Sequence, residues 1–204
     1  MRMVLAAGSV AFLLSGVAAA DIFNGSGGSI PDNNPAGIVS TINVANAGQV
    51  GVFNGLTING LTHTWVGDVV ITLTLPDATV ITIADRIGKT SATTGFGDSS
   101  NFGGNYTFND AGGDIWASAA SGDTNFVIPT GAYRASAALT GAAINLNALI
   151  AGKNVTGDWK LTITDGAAGD TGSYTDWSLN FSIVPTPGAL ALLGLAGLAG
   201  RRRR

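Results

Sequence analysis

The stretch at residues 157–183, GDWKLTITDGAAGDTGSYTDWSLNFSI, restricts this chain more than any other feature. Trp159, Leu161 and Ile163 alternate with Lys160, Thr162 and Thr164, and Trp177, Leu179, Phe181 and Ile183 alternate with Ser178, Asn180 and Ser182. A two-residue period places every second side chain on one face, so each segment reads as a strand with one buried and one wet face. The connection between them carries Asp165, Asp170 and Asp176, with Gly166, Gly169 and Gly172 free to fold the backbone back tightly. The two segments are expected to form a hairpin. Carboxylates crowded into one turn repel each other unless a cation or several donors sit among them. A calcium ion pinning that hairpin is therefore the first expectation.

The rest of the chain agrees with a β protein. It shows no strand–helix–strand rhythm and no long helical period, and short apolar alternations are separated by Gly and Pro turns. That pattern predicts an all-β sandwich of jelly-roll type. Residues 69–84 read as a hairpin, with Val69, Ile71, Leu73 and Leu75 on one face. Earlier strands are expected around Ile38, Ile42 and Val44 and over residues 50–65. A long exposed loop is expected at 88–104, and one short helix at 145–150. The chain has no cysteine, which excludes disulfides, thiolate zinc sites and cysteine catalysis. Every one of its 13 acids is Asp. Arg2 and Arg201 to Arg204 lie in the terminal segments, so the body holds five bases against 13 aspartates, a charge of −8. An acidic body excludes the cationic footprint that nucleic-acid binding needs.

The ends are organised differently. Residues 1–20 have a base at Arg2, an apolar run, and Ala18, Ala19 and Ala20 before Asp21. This is the layout of a secretory signal peptide cleaved after Ala20, a helix outside the fold. Residues 21–29 are rich in Gly and Ser and read as a linker, which leaves 30–183 as the domain. From residue 184 the composition changes. Pro185 and Pro187 break the last strand, residues 188–200 are Gly, Ala and Leu only, and four arginines follow. The apolar run is shorter than the roughly 20 residues of a stable span. A short hydrophobic helix with transient membrane association is expected there.

Several motifs in order carry a family likeness. They are Ile30-Pro31-Asp32-Asn33, then His63-Thr64-Trp65-Val66-Gly67-Asp68-Val69, then Phe108-Asn109-Asp110. Then come Gly157-Asp158-Trp159-Lys160-Leu161-Thr162-Ile163-Thr164-Asp165, Gly169-Asp170-Thr171-Gly172 and Trp177-Ser178-Leu179. From about Ile30 to Ile183 the chain resembles the P/Homo B domain of proprotein convertases. The resemblance implies a β jelly roll that stands beside a subtilisin-like serine protease domain and stabilises it, with calcium bound in many bacterial members. The tail at 184–204 is similar to a PEP-CTERM sorting signal, with Thr186 where that signal usually has Glu. This implies an exosortase-type processing enzyme as a partner and delivery to the cell surface, outer membrane or extracellular matrix of a Gram-negative bacterium.

Asp68, Asp110, Asp165 and Asp170 stand at the acidic positions of these motifs and are the expected calcium ligands, with Asp158 and Asp176 as weaker candidates. Calcium takes six to eight oxygens, which aspartates at strand ends and a Gly-rich loop can supply. The same aspartates also suit turn capping. His63 is the only histidine, so Ser–His–Asp chemistry would have to use it. The chain has no Gly-x-Ser-x-Gly elbow, and His63 is expected to be structural. Trp116 is the tryptophan whose flanking residues best suit an exposed sugar platform, although core packing is the expectation there too. The functional expectation is an exported, stand-alone, calcium-stabilised and non-catalytic module. The alternatives are binding of an extracellular polysaccharide and service to a subtilisin-like protease in trans.

Overall fold

The computed structural model describes residues 20–120 and 122–185. Residues 1–19 of the expected signal segment and residues 186–204 of the expected sorting tail lie outside the described residues, whereas Ala20 begins β1 and Val184 ends β11. Eleven strands are present among those described: β1 (Ala20–Ile30), β2 (Asn34–Val44), β3 (Gln49–His63), β4 (Val69–Thr74), β5 (Val80–Asp85), β6 (Phe102–Gly113), β7 (Gly131–Tyr133), β8 (Ala135–Ser136), β9 (Ala143–Ile144), β10 (Gly157–Asp165) and β11 (Gly172–Val184). Two short helices accompany them, α1 (Ile115–Ser118) and α2 (Leu146–Ile150). The strands form a five-stranded sheet in the order β1-β11-β3-β6-β7 and a four-stranded sheet in the order β2-β10-β4-β5. A small β8-β9 ribbon stands beside them. The expected all-β sandwich is what the chain adopts.

The alternations written in the sequence set which side chains enter the space between the sheets. Trp159, Leu161 and Ile163 of β10 and Trp177, Leu179 and Phe181 of β11 are all fully buried. Each such side chain contributes about 1.5–3 kcal/mol by leaving water. The Trp159 and Phe181 rings meet across the core with centroids 5.3 Å apart. The indole nitrogens of Trp159 and Trp177 are satisfied. Trp159 Nε1 donates to the Val155 carbonyl at 2.9 Å. Trp177 Nε1 donates to Ser40 Oγ at 2.8 Å, and that hydroxyl donates onward to the Ser26 carbonyl at 2.6 Å. One short chain of hydrogen bonds thus ties β11, β2 and β1 together.

Two expectations change. β10 and β11 are not a hairpin: β10 pairs with β2 and β4, whereas β11 pairs with β1 and β3. Their connection is an arch from one sheet to the other. Alternation fixes which face of a strand is apolar but not which strand lies beside it. The arch lets the two apolar faces meet across the sandwich, where Trp159 and Phe181 pack. Residues 21–29 are not a linker either, because they form most of β1, antiparallel to β11. The glycines that gave this segment its linker-like composition serve close packing. Gly25 lies against the Trp177 indole, and a Cβ there would collide with the ring.

Other expectations hold. β4 and β5 form the 69–84 hairpin. α2 falls within 145–150, with the Asn145 side chain accepting from the Ala148 N–H at 2.8 Å. The 88–104 loop is shorter than expected, since β6 begins at Phe102, and it is anchored: Lys89, Asp98, Ser99 and Ser100 are buried.

Candidate functional site

Three segments meet at one end of the sandwich. They are the turn from β3 into β4, the loop from β5 into β6, and the β10–β11 arch. Backbone hydrogen bonds fix them to one another. Val66 N–H donates to the Ser100 carbonyl at 2.9 Å, Gly67 N–H to Asp98 at 3.0 Å, and Gly166 N–H to Asp68 at 2.9 Å. Gly97 adopts φ of +76°, and its Cα lies so near Gly67 that a side chain at either position would strike the other backbone.

Asp68 and Asp165 are buried inside this junction, at 3% and 0% exposure. Each has a cationic or ionisable partner within the chain. Arg86 Nη2 donates to Asp68 Oδ1 at 2.9 Å, and Arg86 Nε donates to the Gly67 carbonyl at 2.9 Å. His63 Nε2 faces Asp165 Oδ2 at 3.4 Å, with both side chains fully buried. Asp165 Oδ1 accepts from the Ala167 N–H at 3.1 Å. Burial nevertheless pushes the Asp68 carboxyl above its ordinary range. The Arg86 guanidinium opposes this rise, and the neighbouring Asp165 and Asp170 charges add to it.

Asp170 sits at the mouth of the same junction, where its Oδ1 accepts from Thr64 Oγ1 at 2.7 Å. Beside it is a cavity of about 170 Å³ lined by Trp65, Asp68, Phe96, Ala167, Ala168 and Asp170. Trp65 Nε1 donates to the Phe96 carbonyl at 3.1 Å. Lys89 Nζ donates to the Gly95 carbonyl at 2.7 Å. The loop that carries Phe96 is thus held in place, and the Phe96 ring stands 71% exposed at the rim.

The four expected ligands do not form one cage. Asp110 lies eight residues beyond Phe102, which pairs with His63, so about 25 Å of strand separates it from the others. It serves α2 instead, accepting from the N–H groups of Leu146 at 2.6 Å and Asn147 at 3.0 Å and from Asn147 Nδ2 at 2.9 Å. Asp68, Asp165 and Asp170 do converge, but the first is bound by a guanidinium and the second faces an imidazole. Among the described residues no group of three His, Asp or Glu side chains is placed to hold a metal ion. Calcium needs six to eight oxygens, and this donor set does not fit it. Asp158 is exposed and accepts from Asn43 Nδ2 at 2.7 Å, and Asp176 accepts from Asn59 Nδ2 at 2.6 Å.

His63 is 1% exposed. Its Nδ1 lies 3.2 Å from the Trp65 N–H and 3.1 Å from the Trp65 carbonyl. With Nε2 facing Asp165, both ring nitrogens point inward and neither reaches a serine hydroxyl. Trp116 is half-buried and packs against the core, with its ring against the Gly141 backbone. Sequence reasoning missed Arg86 and Phe96. Arg86 carried a usable signal, as one of only five bases in an acidic body and placed at a strand end. Phe96, isolated among Gly, Ser and Thr, carried none.

The proprotein convertase P-domain family model matches residues 56–181, more than half of the chain. Among solved structures, the complex of Aeromonas sobria serine protease with its chaperone aligns at a TM-score of 0.45 and 16% identity. Aeromonas sobria serine protease alone aligns at 0.43 and 13%. Each alignment covers 81% of this chain and 26% of the other. No curated protein matches the chain.

Proposed function

The chain belongs to the proprotein convertase P-domain family, and from that membership we propose that it is an exported, non-catalytic module that docks onto a serine-protease catalytic unit. The family's domain is a non-catalytic companion of proteases. The observation that carries the reading here is His63, the chain's only histidine, with both ring nitrogens turned into the core. General acid–base chemistry at neutral pH has no reachable imidazole to use. Export rests on the signal pattern at residues 1–20. Retention at the surface and processing by an exosortase-type enzyme rest on the tripartite tail.

Affinity-tagged chain purified from its source cells, then treated with a fluorophosphonate probe for active serine hydrolases, tests this reading. A labelled band distinct from the tagged chain, whether full-length at 20.4 kDa or processed, supports docking. An eluate with no labelled band counts against it. Label on the chain itself, lost in His63→Ala, overturns the non-catalytic assignment.

A further inference from the structure

The geometry points to a receptor for one basic side chain: we propose that the cavity between Trp65, Phe96, Asp68 and Asp170 seats an arginine of a partner polypeptide. The inference deepens the docking reading by naming the partner's chemistry, and it rests on that reading for the partner being a protein. Four observations carry it. The cavity, at about 170 Å³, is well below the roughly 300–1,000 Å³ that drug-sized ligands occupy, and it suits a single long side chain. Its walls include two aromatic residues, and cations are attracted to aromatic faces. Its remaining side chains are two carboxylates and two alanines, with no basic group in the lining. Finally, Asp68 is 3% exposed, and its only side-chain hydrogen bond among the described residues is made by Oδ1 to Arg86, so Oδ2 is left without a donor.

Charge complementarity selects the occupant. Arg86 is committed to Asp68 and His63 faces Asp165, so among the described residues Asp170 at the mouth is left with a hydroxyl donor and no basic partner, a charge that an incoming cation meets. Arginine suits the site better than lysine, because its planar fork both stacks on aromatic rings and hydrogen-bonds to carboxylates. The site is also built before any ligand arrives. Phe96 stands 71% exposed on a loop tied down by Trp65 Nε1 and Lys89 Nζ, where an unused ring would gain nothing from being held in water.

The test uses ¹⁵N-labelled full chain titrated with capped Gly-Arg-Gly, with the citrulline counterpart as a neutral isostere and calcium chloride as a separate arm. The arginine peptide is expected to give saturable shifts at the Trp65 indole N–H and the Ala167 and Ala168 amides, with a dissociation constant near about 1 mM. The citrulline peptide is expected to give none. Asp170→Asn keeps an oxygen for Thr64 and should fold, yet weaken binding about three- to tenfold. Phe96→Ala removes only an exposed ring and should weaken binding comparably. Absence of saturable shifts, equal binding of the citrulline peptide, or unchanged binding by Asp170→Asn overturns the proposal. So do saturable shifts at the same amides from calcium but not from arginine. A failed titration alongside a labelled protease in the purification removes the pocket and leaves docking intact.

Discussion

Replacing Arg86 by Met removes a guanidinium while keeping a stem of similar length, and the structure says what is lost. The hydrogen bonds to Asp68 Oδ1 and to the Gly67 carbonyl, both 2.9 Å, disappear. The Asp68 side chain, 4% exposed, is left charged without its partner. Breaking a buried pair from one side costs about 3–5 kcal/mol. Arg86 is 23% exposed, so water already screens part of this pair, and about 3 kcal/mol is the reasonable figure. In a domain of this size that lowers the melting midpoint by about 6–12 °C. The pH dependence sharpens the test. Asp68 has a folded-state pKa above its unfolded value, chiefly from burial. Its contribution to stability is therefore full below the unfolded pKa and is lost as pH rises through the folded pKa. Losing Arg86 raises the folded pKa further, so the deficit of Arg86→Met should be large at about pH 8 and shrink toward about pH 4. Circular-dichroism melts of wild type, Arg86→Met, Asp68→Asn and the double variant provide the measurement. The double variant should recover part of the loss, because two contacting residues couple. A midpoint for Arg86→Met within about 2 °C of wild type at pH 8, or a deficit that grows on acidification, refutes the reasoning.

Two other variants probe the same fold. Ser40→Ala removes the acceptor of Trp177 Nε1 and the donor to Ser26, and should cost about 1–3 kcal/mol in a denaturant titration. Asp110→Ala leaves the Leu146 and Asn147 N–H groups at the start of α2 without their acceptor, while the Asn145 cap remains, and should cost about 1–2 kcal/mol. Burial works to raise the Asp110 pKa, but the hydrogen bonds from Asn147 and Leu146 prevail and hold it below the ordinary value. Its contribution is present above the unfolded pKa and lost as pH falls through the folded one. The Asp110→Ala deficit should accordingly fade in acid, as read from melts across that range.

How much of this was legible before the coordinates varied with the kind of signal. Alternation in Trp159 to Ile163 and Trp177 to Ile183 identified two strands and their inward faces, because burial of alternate side chains is a local consequence of the pleat. The partners of those strands were not legible, since hairpin and arch satisfy the same pattern. The Gly-rich run at 21–29 misled for a related reason. Glycine signals freedom when read alone, and Gly25 is glycine because of Trp177, over 150 residues away. At the site, Asp68, Asp165 and Asp170 were correctly singled out as acids at strand ends and in the arch. The partners of Asp68 and Asp165 were not visible, because Arg86 and His63 reach them from other segments of the chain. Asp110 shares their motif character and none of their surroundings.

Asp68 is held by Arg86 and Asp165 faces His63, with the mouth at Asp170 left open for a partner's cation. Melting the full chain in about 1 mM calcium and again in excess chelator tests this most directly. An ion at about 100 times its dissociation constant adds about 2.7 kcal/mol, or roughly 5–10 °C here. That arrangement predicts two curves that superimpose within about 1 °C. A midpoint several degrees higher in calcium, abolished by Asp170→Asn, contradicts it.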